Sequence, residues 1–562
     1  MIDQLAGVSC TIELYPFEGG PYTLTPGQIQ SVSTSKAIRG NSVGSFTIQL
    51  APGGPFGVES PVTWTELITP MSFVLIGMAR GSDAAIPMIG VVTGVGETQV
   101  WRTDPRGGSS ASRGITIQGA DFGYFFSAFN WFALSFYGIT AGSKLGGALD
   151  LQPASLTSRI SDGRLGGNSA ATSGPVVVGQ AWYDIMVGDN GIMNKTYVPY
   201  QGSQVHFSKL IGQLWEAYPQ VYIPMADFFM TSEESWLEKF QSIFPMPWYE
   251  FFVTTAPANG YPLIAGAGSS SVAGTSFSMT SLPAADPVSP LLVARLNPAP
   301  AFGVTGSTTV GNLDVSRWNA LPLRDFTAAP FGFFQSSVSF SAASARNFYQ
   351  LNPTGYSTIN TSNSNNIPAP FLFIAAGDPA SVQRYGFRPQ ILTTRWFFDP
   401  TGSAAQNAQI SVQDTMQFLT GRGISWFHPA PLMASASVTL PLSPTILAGT
   451  RFKYAPFKAG EPWDFYIESV SHNFEFDGGA GATNTQLTLS RGLPSAIYAD
   501  SGADGLLQAI HIGNAMRQGG VYKKGLPAGS SVALQIVNTP EQATELSGKL
   551  SSVFVTPQAG AG

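Results

Sequence analysis

The stretch that decides the fold is Met88-Ile89-Gly90-Val91-Val92-Thr93-Gly94-Val95, a loop of Arg, Pro, Gly and Ser, and then Arg113-Gly114-Ile115-Thr116-Ile117-Gln118-Gly119. A β-branched run meets a flexible turn and returns with alternating apolar and polar residues. This pattern is typical of a long antiparallel hairpin with one buried face.

The same pattern occurs a second time near the end of the chain. It reads YIESVSHNF at 466–474, then a glycine-rich turn at 477–482, then TQLTLSRG at 485–492. Ile115-Thr116-Ile117 matches Leu487-Thr488-Leu489 in period and in the glycine that follows. Because two copies of one hairpin indicate two similar structural units, we expect both hairpins to be equivalent parts of two related β domains.

Composition favours a β-rich globular protein with a covered surface. The chain has 562 residues, of which 44% are hydrophobic, 12% aromatic and only 11% charged. Ordinary soluble proteins carry roughly 25% charged residues. The 62 glycines and 41 prolines interrupt the sequence too often for a helical bundle. The poverty of charge indicates that partner subunits cover much of the surface.

Other features exclude several function classes. The net charge of -6 argues against a nucleic-acid groove, which needs clustered Lys and Arg. Cys10 is the single cysteine and the four histidines are scattered, so we predict no disulfide framework, no metal site and no cofactor. The first residues lack the features of a secretion signal, which indicates folding in a cytoplasm.

An aromatic stretch at 122–140 is a candidate interface. Its rings recur at helical spacing, which predicts an amphipathic helix packed on protein, as core or as a subunit contact, rather than a membrane span. The suspected interface residues are Phe122, Phe125, Phe126, Phe129, Phe132 and Phe136.

The chain divides into β domains and insertions. We predict a first tube-like β domain at 1–120, a helical and Gly/Ser-rich insertion at 121–205, an α+β domain at 206–320, a second tube-like β domain at 321–345 and 425–495, an inserted α+β segment at 346–424, and a C-terminal extension at 496–562. Within the α+β domain, Phe207, Leu210, Ile211 and Leu214 predict one helix. A capping box at 231–234 predicts the start of another, which Pro245 ends.

The sequence contains no nucleophile elbow, metalloprotease motif, phosphate loop or dinucleotide fingerprint. Asp227, Glu233, Glu234 and Glu250 are the candidates for a glycosidase pair. Glu233 and Glu234 lie where a helix start favours carboxylates, so we predict no catalytic residues. Replacing any of these four residues by its amide is expected to leave assembly largely intact.

An ordered set of patterns resembles the phage baseplate hub proteins of the late control protein D type. The matching segments are GSFTIQL at 44–50, MIGVV at 88–92 with ITIQGAD at 115–121, SWL at 235–237 with PWYEFF at 247–252, LLVAR at 291–295, SVQRYG at 381–386, and the closing hairpin at 463–474 and 485–492. The regions 141–205 and 496–562 have no counterpart in this family, and no lysozyme or spike domain is fused to the chain.

The resemblance implies a structural role in a virion tail baseplate. Three chains with two β domains each would form a pseudo-sixfold ring that joins the sixfold tail tube to the threefold central spike. Its implied partners are the tail tube, central spike, tape measure and other baseplate proteins, and DNA that passes without specific binding.

Two other classes of protein remain open. One is a tail-associated β-rich glycan hydrolase or carbohydrate-binding module, which a pair of converging carboxylates would favour. The other is a capsid-type or adhesin-type shell protein, which a single jelly roll would favour. The duplicated hairpin favours the hub. The fold expected is mixed and β-dominated, with two related antiparallel β-barrel-like tube domains and α+β insertions.

Overall fold

A computed structural model of the chain gives the fold. It describes residues 7–16, 19–38, 43–51, 55, 62–103, 109–128, 176–177, 197–200, 203–207, 210–215, 222–223, 235–257, 288–298, 301–305, 309–314, 316–327, 332–353, 374–377, 382–383, 385–394, 423, 426–427, 430–431, 433–457, 461–476, 482–495 and 535–537.

The described chain consists mainly of β-strands. They are β1 (Val8–Tyr15), β2 (Tyr22–Leu24), β3 (Ile29–Ala37), β4 (Ser45–Leu50), β5 (Phe73–Arg80), β6 (Asp83–Thr103), β7 (Ser109–Asp121), β8 (Val176–Val177), β9 (Tyr197–Tyr200), β10 (Ser203–His206), β11 (Gly212–Trp215), β12 (Tyr222–Ile223), β13 (Tyr249–Pro257), β14 (Val288–Leu296), β15 (Ala301–Thr305), β16 (Thr309–Asp314), β17 (Leu323–Asp325), β18 (Gln335–Ser339), β19 (Phe348–Pro353), β20 (Ile374–Gly377), β21 (Pro389–Thr394), β22 (Ala434–Pro441), β23 (Arg451–Tyr454), β24 (Trp463–Glu475), β25 (Asn484–Pro494) and β26 (Gln535–Val537). The α-helices are α1 (Trp64–Leu67), α2 (Gly123–Ala128), α3 (Trp236–Ile243) and α4 (Ser316–Asn319). The prediction of a mixed, β-dominated fold is confirmed.

One sheet of 13 strands dominates the molecule and contains two sets of five strands with the same order. The first set, β3-β4-β7-β6-β5, is called here the first unit. The second set, β18-β22-β25-β24-β23, is called the second unit. Every neighbouring pair inside both units is antiparallel. The strands of one unit therefore correspond one to one with those of the other, both in their order along the chain and in their order across the sheet.

Local irregularities also recur at equivalent places. In β6 the register shifts between Val92 and Gly94, and in β24 it shifts between Ile467 and Ser469, so each long strand carries a bulge. The residue before each bulge makes the same pair of backbone bonds. Val92 bonds to Met71 and Ser72 at 2.8 Å, and Ile467 bonds to Gly449 and Thr450 at 2.9 Å.

The backbone two residues before each neighbouring strand, β5 or β23, is also alike. Met71 has a φ of 72° and Gly449 a φ of 81°, both in the left-handed region that side chains other than hydrogen disfavour. The two turns therefore share a backbone shape although only one of them has glycine.

The bulges correct the alignment of the two hairpins expected from sequence. Counting from the bulge, Ile117 lies opposite Val95 and Leu487 lies opposite Val470, so Ile117 corresponds to Leu487. The sequence match that paired Ile115 with Leu487 is two residues out of register. A slip of two residues keeps every side chain on its face, so alternation alone cannot detect it.

One expectation for residues 206–320 was wrong. The stripe of Phe207, Leu210, Ile211 and Leu214 is not helical, because Gly212–Trp215 is a strand that pairs in parallel with β14. The capping box that opens α3 is formed by Ser235 and Glu238, whose side chains bond each other's backbone N–H. The predicted box at 231–234 lies outside the described residues, as do most of the regions 121–205 and 496–562.

Each unit has its own hydrophobic core. The first core is mostly aliphatic and includes Ile48, Val74 and Ile117. The second core is rich in aromatic rings, among them Phe452 and Phe465. Both cores use the inward-facing, alternate residues of the strands, as a half-buried antiparallel sheet requires.

Candidate assembly interface

The two units are joined edge to edge by a pair of strands that come from distant parts of the sequence. Strand β3 of the first unit pairs antiparallel with the last seven residues of β24, from Ser469 opposite Ala37 to Glu475 opposite Ser31. Two further bonds extend the ladder: Ile38 N–H donates to Glu468 O at 3.0 Å and Phe476 N–H to Gln30 O at 3.0 Å. The two units therefore form one continuous sheet.

Side chains of the junction also cross between the units. Phe474 of β24 lies in the first core, whereas Ile38, just after β3, lies in the second core. On the opposite face, Ser33 Oγ donates to Asn473 Oδ1 at 2.8 Å. Each unit thus contributes an apolar group to the other's core, which fixes how they sit together.

Buried ionisable groups lie at this junction. Lys36 of β3 is 6% exposed and Asp121 at the end of β7 is fully buried. Burial lowers the pKa of Lys36 to about 8, and the Asp121 carboxylate opposes that shift. Burial raises the pKa of Asp121, against the effect of Lys36 and of backbone N–H donors such as Gly123, which bonds Asp121 Oδ1 at 2.8 Å. Gly44 makes room for this carboxylate, since a Cβ there would lie 2.5 Å from Asp121 Oδ2.

His472 of β24 is a neutral member of the same junction. It is 2% exposed, and burial lowers its pKa to about 4. Ser443 N–H donates to Thr485 Oγ1 at 2.8 Å, and Thr485 Oγ1 lies 3.0 Å from His472 Nδ1. The Thr485 hydroxyl can donate its hydrogen to an unprotonated Nδ1 of His472 while its oxygen accepts the Ser443 N–H.

Each unit also has an edge that corresponds to this junction but faces outward. Strand β18, which corresponds to β3, ends the sheet order and pairs only with β22 in the described part of the chain. Strand β6, which corresponds to β24, pairs with β5 only as far as Val91 and with β7 from Gly90 to its end at Thr103. Beyond Val92, therefore, β6 has a described strand neighbour on one side only.

The outward edge of β18 is flanked by exposed aromatic side chains. Phe334 is 41% exposed and Phe340 is 43% exposed, one on each side of the strand. Phe457, which is 51% exposed, stacks on Phe340 with ring centroids 6.1 Å apart. Exposed apolar groups beside an unpaired strand edge are typical of a protein interface.

The face of the sheet that points away from the cores is polar but uncharged. It runs across seven neighbouring strands and through the junction between the units. Its members are Gln335, Ser337, Ser339, Ser435, Ser437, Thr439, Gln486, Thr488, Ser490, Ser469, Ser471, Asn473, Ser31, Ser33, Ser35, Ser45, Thr47, Gln49, Thr116 and Gln118. Glu468 and Glu475 border it. This surface, called here the hydroxyl face, was not predicted from sequence, although the serines at alternate positions of β3 signal it.

The structure places part of the aromatic stretch inside the chain. Phe122, Phe125 and Phe126 are at most 1% exposed. Phe122 lies 5.6 Å from Phe73 and Phe126 lies 5.3 Å from Phe207, centroid to centroid. These three rings pack between the first unit and Phe207 within the chain, with almost none of their surface exposed.

The other three suspected interface residues, Phe129, Phe132 and Phe136, lie outside the described residues. Their role at an interface stays a prediction.

Glu250 is a structural carboxylate. It bonds Arg295 at 2.9 Å with both side chains 1% exposed, and it accepts the hydroxyl of Tyr466 at 2.6 Å. Arg295 also donates to Gly449 O at 2.8 Å. The network attaches strands β13 and β14 to the second unit, so the amide substitution at Glu250, expected from sequence to be harmless, should destabilise the protein.

Asp227, Glu233 and Glu234 fall outside the described residues. In the parts that are described, no group of three or more His, Cys, Asp or Glu is placed to hold a metal ion. No described helix has the length and apolar character needed to cross a membrane.

Comparisons with known proteins give distant similarity only. No protein-family model and no curated protein matches the chain. A tail protein from Neisseria meningitidis MC58 is similar at 9% identity, over 86% of this chain and 96% of that chain, with a TM-score of 0.40. The 43 kDa tail protein of prophage MuSo2 from Shewanella oneidensis gives 10% identity, 86% and 98% coverage and a TM-score of 0.39. Prophage tail protein gp18 from Listeria monocytogenes EGD-e gives 11% identity, 90% and 100% coverage and a TM-score of 0.36. TM-scores of this size do not establish a shared fold.

Proposed function

We propose that this chain is a structural baseplate hub of a phage tail. Three copies form a ring of six similar β units, which joins the sixfold tail tube to the threefold central spike. The first tube-like domain is 1–120, and the second is 321–345 with 425–495. The chain acts as a structural protein without enzymatic activity, in the virion tail baseplate after assembly in the host cytoplasm.

The observation that carries this proposal is the repetition of one five-strand order in two units joined edge to edge. A chain that places two like units side by side already contains one of the contacts that a ring of such units needs. Three chains then supply six units around an axis, which matches a sixfold partner on one side and a threefold partner on the other.

The hydroxyl face supports a channel as the function of the ring. It crosses the junction of the two units without interruption, so in a ring it would continue from unit to unit. Hydroxyl and amide groups keep such a wall wet, whereas Lys or Arg would bind the phosphates of passing DNA. We propose that this face lines the channel for the tape measure protein and for DNA.

The remaining partners follow from the resemblance to hub proteins. They are the tail tube protein and the central spike protein at the two ends of the ring, and other baseplate proteins around it. The low content of charged residues agrees with a surface that these partners cover.

Labelling of the chain in assembled phage tails tests the proposal. A peptide tag at the C-terminus, decorated with antibody in electron micrographs, should mark the junction between tube and spike. Labelling along tail fibres or on the capsid would contradict the hub assignment. A zymogram of the purified chain on peptidoglycan and capsule tests the hydrolase alternative, and we expect no clearing.

A further inference from the structure

We propose that β18 of one chain pairs antiparallel with β6 of the next chain, in the register that β3 and β24 use within one chain. This inference deepens the proposed ring, on which it rests, by identifying the strands and residues that close it. The partner is a second copy of this chain.

The correspondence between the two units gives the register. Ser437 lies opposite Thr488, which lies opposite Ser469, the first residue after the bulge of β24. Thr47 lies opposite Gln118, which lies opposite Gly94, the first residue after the bulge of β6. Thr47 and Ser437 are therefore equivalent, and so are Gly94 and Ser469.

The same count places the two edge strands. Ser33 lies opposite Thr47 and Ser337 lies opposite Ser437, so Ser33 and Ser337 are equivalent. Ser35 and Ser339 are then equivalent as well. On β6, counting from the bulge makes Gly96 equivalent to Ser471 and Thr98 equivalent to Asn473.

Carrying the internal junction over to these positions gives the contact between chains. Within the chain, Ser471 lies opposite Ser35 and Asn473 lies opposite Ser33. Between chains, Gly96 should therefore lie opposite Ser339, and Thr98 should lie opposite Ser337.

Three observations favour a second copy as the occupant. First, β18 and β6 are equivalent to β3 and β24, and β3 and β24 already pair with each other within the chain. In the described residues β18 ends the sheet, and β6 beyond Val92 has a strand on one side only. The exposed rings of Phe334 and Phe340 flank β18, where a neighbouring chain would cover them. Pairing of this kind removes both open edges at once.

Four double-cysteine variants test the register. Two place cysteines at positions expected to be opposite, Thr98→Cys with Ser337→Cys and Gly96→Cys with Ser339→Cys. Two exchange the partners, Thr98→Cys with Ser339→Cys and Gly96→Cys with Ser337→Cys. A disulfide needs Cα atoms about 4.4–6.8 Å apart, whereas diagonal neighbours in a sheet are about 7–8 Å apart. The native Cys10 is buried and has a pKa raised to about 12, so the wild-type chain gives a low background.

The expected result is covalent dimers and trimers on a non-reducing gel for the two opposite pairs, at least tenfold above the exchanged pairs. Mixed single-cysteine chains, one with Thr98→Cys and one with Ser337→Cys, should give a dimer, which shows that the bond joins two chains. Circular dichroism of each variant checks that it folds.

The outcomes separate this inference from the proposed function. Trimers in micrographs together with equal or absent cross-linking of folded opposite-pair variants would overturn the register and leave the hub proposal standing. Cross-linked ladders that extend beyond three chains would support the strand pairing but contradict the closed ring.

Discussion

The two units build the same strand order with different cores. In the first unit the ring of Phe46 of β4 covers Gly119. A Cβ added at Gly119 would lie 2.1 Å from Cζ of Phe46. In the second unit the ring of Phe465 of β24 covers Gly492. A Cβ added at Gly492 would lie 2.0 Å from Cε1 of Phe465. The residue that corresponds to Phe46 is Ala436.

The exchange is reciprocal. Phe465 corresponds to Gly90 of β6, where an added Cβ would meet Ala120 O at 2.2 Å. One unit therefore takes its aromatic ring from one strand and the other unit takes it from another strand. The two units therefore share their strand order, whereas the strand that supplies this aromatic ring to the core differs between them.

The largest expected effect comes from a contact that only the second unit has. Glu250 and Arg295 form a buried ion pair that reaches Tyr466, whose equivalent in the first unit is Val91. Because Glu250→Gln leaves the guanidinium buried without its counter-charge, we expect the free energy of unfolding to fall by about 3–5 kcal/mol. Urea titration followed by tryptophan fluorescence measures it. Glu475→Gln, at an exposed position, is the control and should change little.

The second prediction concerns pH and the junction. The pKa of His472 is about 4 in the folded chain, below its usual value of 6.5. Between pH 6.5 and 4 the unfolded chain therefore binds a proton that the folded chain does not, and the free energy of unfolding falls on acidification by up to about 3 kcal/mol. His472→Gln should remove this loss.

Thermal unfolding at several pH values compares the two proteins. Burial raises the pKa of Asp464 to about 6, which has the opposite effect in the same range but is common to both proteins. Glu97 of β6 is exposed and occupies the position equivalent to that of His472, so Glu97→Gln serves as the control. A wild-type chain and a His472→Gln chain with parallel pH profiles would show that His472 titrates normally.

The third prediction tests the exchanged rings. Gly492→Ala should lower the free energy of unfolding by about 1–3 kcal/mol, because the new methyl group overlaps the ring of Phe465. Adding Phe465→Leu should recover part of the loss. In the first unit, Gly119→Ala should not be recovered by Phe46→Leu, since its Cβ also meets Val91 O at 2.3 Å. Equal rescue in both units would contradict this account of the cores.

The smallest effect on stability is expected on the hydroxyl face. Thr47→Lys and Ser437→Lys lie at equivalent positions of the two units and should each change the free energy of unfolding by less than about 0.5 kcal/mol. In a phage that carries either change, delivery of DNA should slow to a similar degree, because the added cations bind phosphates. Ser437→Asn is the uncharged control. Delivery at the wild-type rate in both lysine variants would place this face outside the channel.

Local sequence patterns predicted several of the strands. The strict alternation of β4 and the two glycine-bounded hairpins specify strands by period 2, and the structure contains them. The strand at Gly212–Trp215 was not predicted, because a short apolar run fits a helix as well as a strand.

The candidate interface could not be deduced in the same way. Ser33 and Asn473 are 440 residues apart, and no local period records such a pairing. The bulge at Glu468 sets the register of the second hairpin but leaves no sequence mark. The aromatic stretch was ambiguous for a related reason, since Phe125 at helical spacing suits a core as well as a subunit contact.

We expect three chains, each with two like units, to form a closed ring of six units. Native mass spectrometry of the purified assembly, combined with class averages of its end views, tests it most directly. We expect one species of three times 59.4 kDa whose end views show six similar lobes around a central opening. A stable monomer at micromolar concentration with no ring in the micrographs would contradict it.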